Sequence, residues 1–203
     1  ASSDYSGGAE RAGAVYLFAK QNNDWVLDRR ITAPQPTEGS GFGFAVALDR
    51  NILTIGEPFR DGGGTVHVFE YTNRAWAHAE TIEAPAASPA WFGRDLDFGD
   101  TTMVVAALAA DASQPGQAYV YANTSEGWAF GGALSASSSW RGTQRVAVSE
   151  GRIAVVSVAS QAVDVFEMQD DTWTRTVSLI APWNGVGFDF LGYRLLVGVQ
   201  SGP

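Results

Sequence analysis

Few residues in this sequence are of a type that does acid–base, nucleophilic or metal chemistry. Cysteine is absent, which excludes disulfides, thiolate nucleophiles and thiolate metal sites. Histidine occurs twice, as His67 and His78, and neither stands beside a nucleophile in a recognisable motif. There is no G-x-S-x-G elbow, no H-E-x-x-H, no phosphate loop and no G-x-G-x-x-G. No catalytic residue, metal ligand set or cofactor is therefore expected. A binding role leads, followed by a structural subunit of a large assembly and then by a hydrolase or lyase that uses carboxylates.

Carboxylates do recur at regular places. Asp95, Asp97 and Asp189 occupy alternate positions of similar segments, which puts them on one side of extended strands. Such a column can ring a cation or an amine. The simpler reading is a solvated column with Arg94 and Arg145 as counter-charges. Asp61 and Asp111 stand at matching places in two loops, with Asp4 in a third, where Asp closes turns by accepting bonds from downstream amides and secondarily offers a ligand contact.

Recognition chemistry is better represented. Trp91, Trp140 and Trp183 recur just ahead of similar strands, and Arg60, Tyr5 and Arg11 lie in loops expected on the same face. Aromatic and arginine side chains dominate binding energetics, whereas the structural alternative is packing of each tryptophan over a neighbouring edge. The expected ligand-binding set is Trp91, Trp140, Trp183, Arg60, Asp61 and Asp111. Asn123-Thr124-Ser125 is a glycosylation sequon in an expected turn, so Asn123 is a candidate modification site.

The elements that carry these residues repeat. "GAVYLFAKQNNDW", "GTVHVFEYTNRAW", "QAYVYANTSEGW" and "AVDVFEMQDDTW" are four versions of one hairpin, ending at Trp25, Trp76, Trp128 and Trp173. Their spacing of about 45–52 residues is a repeat period, and the position of these four tryptophans points to architecture. Inside each unit the apolar period is two: Val46 and Leu48 alternate with Ala45 and Ala47, and Leu96 and Phe98 with Asp95 and Asp97. The runs "ILTIG", "MVVAA", "IAVVS" and "RLLVG" suit strands covered on both faces. Short polar turns such as "LDRN" and "TNR" join the strands. Each unit thus reads as a four-stranded antiparallel meander and the chain as an all-β propeller of such blades.

The segment "GFGFAVALDRNILTIGEPFRDGGGTVHVF" resembles the FG-GAP repeat, the blade of integrin-α-type propellers and of many bacterial and algal secreted proteins. Phe42-Gly43 and Gly56-Glu57-Pro58 stand where the family has its FG and GAP; the next unit keeps Phe92-Gly93, and the one after keeps Gly142. The resemblance implies cell adhesion or protein binding, a protein or glycan partner, and an extracellular or secreted setting. Integrin-type members carry a D-x-D-x-D-G calcium loop between the first two strands of a blade. The hairpins here are too short and too poor in carboxylates, so calcium binding is not carried over.

Five divisions follow: a half blade at 1–34, blades at 35–85, 86–136 and 137–182, and a half blade at 183–203. The halves are complementary, so they either close a four-bladed ring or belong to a larger one. Propellers of this family usually have about seven blades, which favours the larger ring, with contacts to other chains of an assembly as one way to complete it. A net charge of −9 argues against a nucleic-acid partner, which calls for a basic stripe. No apolar run approaches the roughly 18 residues of a membrane-spanning helix.

Overall fold

The computed structural model describes residues 9–86, 88, 90–99, 101–108, 116–134, 144–157, 162–180, 184–191 and 194–200. Its regular elements are β-strands joined by turns. β1 (Val15–Gln21) and β2 (Asp24–Ile31) pair as a two-stranded sheet. β3 (Ala45–Asp49), β4 (Ile52–Glu57), β5 (Thr65–Thr72) and β6 (Ala75–Glu83) form the first complete meander. β7 (Phe92–Gly99), β8 (Thr102–Ala107), β9 (Gln117–Thr124) and β10 (Gly127–Ala133) form the second, and β11 (Gln144–Ser149), β12 (Arg152–Ser157), β13 (Ala162–Gln169) and β14 (Thr172–Ile180) the third. β15 (Asn184–Leu191) and β16 (Arg194–Gln200) are a further two-stranded sheet, separate from β1 and β2.

Burial follows strand order within a blade. The second strands are covered on both faces: Leu53 to Glu57, Met103 to Ala107 and Ile153 to Val156 are continuously buried. Fourth strands are mostly exposed, as suits the rim of a radial array. The innermost strands run side by side, with β7 against β3 and β4, β11 against β7 and β8, and β15 against β11. That succession is the radial packing of a β-propeller, and it buries apolar side chains between blades: Phe92, Leu96 and Met103 share a core with Val66, Val68 and Ile82 of the preceding sheet.

Three backbone devices make the blades stack and twist. At Gly56 an added Cβ would lie 2.0 Å from the carbonyl oxygen of Gly93 in the next blade, so the two chains touch where only glycine fits. A register shift recurs between third and fourth strands, at Leu17/Phe18, Val68/Phe69 and Val165/Phe166. These β-bulges sharpen the twist of the outer hairpin and change which face its later residues occupy. The tight hairpins use paired left-handed residues, as at Asn73 (φ 52°) and Arg74 (φ 63°), whose turn twist matches that of the flanking strands.

Candidate functional site

The aspartate column has a different role from the solvated one its spacing suggested. Val146 N–H donates to Asp95 Oδ2 at 2.9 Å, and Val148 N–H donates to Asp97 Oδ2 at 2.8 Å. Both carboxylates on β7 therefore clasp the edge strand β11 of the next blade, where an inner strand has outward amides that no ladder satisfies. Burial raises Asp95 to about 6, against the lowering effect of the Val146 amide and the Arg145 charge. Asp189 lies on β15.

Trp91 sits ahead of β7 with a left-handed backbone, φ 61°, a costly conformation for a bulky residue. Its ring meets Phe59, from the β4–β5 loop of the preceding blade, edge-on at 5.7 Å and 85°. Phe59 in turn meets Phe44 at 5.5 Å and 86°. The Arg94 guanidinium lies 4.1 Å from the centre of the Phe44 ring and 6.0 Å from that of Trp91, a cation–π arrangement. Burial, then the neighbouring Arg145 charge, lowers the Arg94 pKa. Phe59 remains 38% exposed, so the aromatic seam reaches solvent. Trp91 thus both packs on a neighbouring blade and contributes to an open patch. Trp140, Trp183 and Asp111 lie outside the described residues, as do Asp4 and Tyr5.

Arg60 and Asp61 occupy a short 3-10 turn at Arg60–Gly62 in the β4–β5 loop. Arg60 is a strut: its guanidinium donates to the Gln35 carbonyl at 2.9 Å and to Glu57 Oε2 at 3.3 Å. The Asp61 carboxylate is 83% exposed and 3.7 Å from Arg60 Nε. Asn123 lies near the end of β9, where its amide donates to the Thr101 carbonyl. Trp128 is buried edge-on to Phe98, and Trp76 and Trp173 pack on blade cores, whereas Trp25 is 69% exposed.

One polar cluster escaped the sequence reading. Glu57, fully buried at the end of β4, lies 2.7 Å through Oε2 from His67 Nε2 on β5. Thr65 Oγ1 donates to the same oxygen at 3.3 Å, while Glu57 Oε1 has no hydrogen-bond partner. Burial alone would raise the Glu57 pKa, but the His67 bond, the nearby Ser40 hydroxyl and then the His67 and Arg60 charges outweigh it and lower the group from its ordinary value. His67 Nδ1 faces His78 Nε2 at 3.4 Å, with Thr81 Oγ1 within 3.3 and 3.0 Å of those nitrogens. Burial, then His67, lowers the His78 pKa. His67, His78, Thr81, Arg60 and Gln35 line a cleft of about 250 Å³.

Part of this cluster was legible from alternation. Ile55, His67 and Thr81 are cross-strand partners, so Glu57, two residues along from Ile55, shares their face. His78 was not, because it lies three positions before Thr81 and simple alternation sends it to the other face. The bulge at Val68/Phe69 sets His78 opposite Phe69 and brings it onto the His67 face.

Residues 25–69 match the family model of the FG-GAP repeat, a span from β2 to β5 that includes both Phe42-Gly43 and Gly56-Glu57-Pro58. The chain carries an FG-GAP repeat. Within that repeat, Glu57 stands at the middle position of the GAP motif and is the carboxylate of the buried cluster. No curated protein matches the chain. Among solved structures, a crystal structure of a protein from Lactobacillus plantarum is similar at a TM-score of 0.63 and 14% identity, covering 91% of this chain and 55% of that one. This chain therefore spans about half the length of that neighbour, and the likeness is one of fold. Saccharomyces cerevisiae Sqt1 is similar at a TM-score of 0.47 and 11% identity, over 69% of this chain and 35% of that one. FG-GAP repeat and propeller fold together describe a binding or structural module. Among the described residues no helix is long and apolar enough to cross a membrane.

Proposed function

We propose that this protein is a non-enzymatic, extracellular binding module of the adhesion type, which presents the face formed by its β4–β5 and β6–β7 loops to a protein or glycan. Phe59, Trp91 and Arg94 are its anchors, with Asp61 at the rim. The observation that carries this reading is Trp91 itself, held at φ 61° between Phe59 and Arg94 at the seam of two blades. A non-glycine residue in the left-handed region costs about 1–2 kcal/mol, and strain of this kind concentrates at ligand-binding positions. Large rings and a guanidinium at an open edge are also the side chains that bury most area per ordered torsion on binding.

The test is capture. The purified chain and its Trp91→Ala variant, each shown to be folded, are exposed to a glycan array and to a native extract. A partner retained by the parent and lost by the variant supports the reading; equal capture by both removes Trp91 from it.

A second reading, a structural subunit of a larger assembly, is favoured by a different observation. Tyr16, Phe18, Trp25 and Leu27 on β1 and β2, with Val46 and Leu48 on β3, are exposed apolar side chains. Apolar surface in this amount calls for a covering partner. Light scattering distinguishes the two, since a module stays monomeric alone and a subunit self-associates.

A further inference from the structure

Two successive blades enter their innermost strands through the same turn. Phe44 N–H donates to the Gly41 carbonyl at 3.1 Å, and Arg94 N–H donates to the Trp91 carbonyl at 3.2 Å. Gly41 (φ 74°) and Trp91 (φ 61°) share the left-handed position, and Gly43 and Gly93 follow at φ 89° and 84°. Phe44 and Arg94 therefore hold equivalent places on neighbouring blades, which brings the guanidinium to 4.1 Å from the centre of the Phe44 ring. Stacking on a ring uses the flat face of a guanidinium and leaves the N–H groups in its plane to find acceptors.

The described residues do not supply those acceptors. Their arginine ion pairs are those of Arg60, Arg152 and Arg175, and among them the guanidinium groups of Arg94 and Arg145 have neither an ion pair nor a hydrogen bond. Arg145 comes alongside because Asp95, next to Arg94, accepts the N–H of Val146, next to Arg145, at 2.9 Å. That bond commits Asp95 Oδ2 to the backbone, and the Asp95 charge lies beyond ion-pair distance of either arginine. Arg94 is half-buried and Arg145 exposed. Burial, then the Arg145 charge, works against the charged form of Arg94, and an anion between the two relieves both effects.

We propose that Arg94 and Arg145 bind a side-chain carboxylate of a protein partner, carried beside apolar side chains that settle on Phe59 and Trp91. This rests on the reading of the β4–β5 and β6–β7 loop face as the binding face and names the chemistry that face takes. The donor edge of a guanidinium matches a planar carboxylate in two parallel bonds. A chain of net charge −9 repels a polyanion as a whole, so one carboxylate set in hydrocarbon suits it better than a phosphate cluster. Sugars lie flat on open aromatic faces. Here Arg94 covers a face of Phe44, and the 85° contact between Phe59 and Trp91 takes a face of one of those two rings. Peptide side chains pack on ring edges as well, and Phe59 is 38% exposed to meet them.

The experiment presents the intact chain with an array of end-blocked hexapeptides, each holding one Asp or Glu among apolar residues, with their Asn and Gln counterparts and with uronate-bearing oligosaccharides. Acidic peptides are expected to be retained and their amide counterparts to bind at least about tenfold more weakly. Arg94→Gln is expected to weaken the retained peptide at least about tenfold, and Arg145→Gln about two- to fivefold. Arg145 is exposed, so its variant keeps the test readable if Arg94→Gln does not fold. Retention of no peptide, equal retention of acid and amide forms, or retention of the oligosaccharides alone overturns the proposal. Trp91→Ala separates it from the reading beneath it: loss there with no change in either arginine variant overturns the carboxylate and keeps the face, whereas no change in all three removes the face as well.

Discussion

Asp95 binds its proton more tightly in the folded chain than in the unfolded one, at about 6 against an ordinary 3.8. Between those values the native state therefore holds more protons, so stability from this group rises as pH falls from about 6 to 4. Above pH 6 the buried carboxylate costs on the order of 2–3 kcal/mol. Asp95→Asn keeps an acceptor for the Val146 amide and removes the charge. Urea unfolding at pH 4 and pH 7 should show the variant gaining on the parent by on the order of 2 kcal/mol at the higher pH; an identical pH dependence in both would contradict this. Asp97→Ala removes the acceptor of the Val148 amide altogether, with an expected loss of about 1–3 kcal/mol and an unchanged denaturant slope. The types and spacing of these aspartates were plain in the sequence, and their partners were not. A carboxylate that reaches the backbone of the next blade is specified by inter-blade geometry, which period-two patterning within one strand does not encode.

At the level of elements, the tryptophan-ended hairpins, the doubly buried second strands and the short turns were all written in alternation and turn chemistry, because each depends on neighbours within a few residues. The recurring bulges were silent, since an extra residue in one strand leaves no compositional mark. They decide where His78 points, and so they hid the Glu57–His67–His78 cluster. Contacts between blades yield a sharper forecast. Gly56→Ala places a Cβ 2.0 Å from the Gly93 carbonyl oxygen, so the blades must part. Gly63→Ala meets only the Ala84 Cβ, at 3.7 Å, and its φ of −95° is ordinary. Gly56→Ala should lose at least about 2 kcal/mol and Gly63→Ala should stay within about 1 kcal/mol of the parent, as read from thermal or urea midpoints. Equal effects would mean that the blades do not pack through that glycine.

Over the whole molecule, the blades follow one another through their innermost strands, and β1–β2 and β15–β16 stand as separate two-stranded sheets. We favour a ring larger than four blades. Closure at four would place β16 beside β1 as ladder neighbours about 5 Å apart. The chain has no cysteine, so Tyr16→Cys with Leu196→Cys gives a clean test: no intramolecular disulfide should form on oxidation, and an efficient one would establish the four-bladed ring. Recognition belongs to the same scale, because the seam of Phe59, Trp91 and Arg94 exists only where two blades meet. The opposite face is built from minimal turns such as Arg50 and Asn73-Arg74, whose solvated charges bury little area. The most direct measurement is therefore the affinity of a captured partner for four folded proteins: the parent, Trp91→Ala, Arg50→Ala and Arg74→Ala. A loss of about 2–4 kcal/mol is expected for Trp91→Ala and under about 1 kcal/mol for either arginine variant. Unchanged affinity in Trp91→Ala with a loss in Arg50→Ala or Arg74→Ala would contradict it.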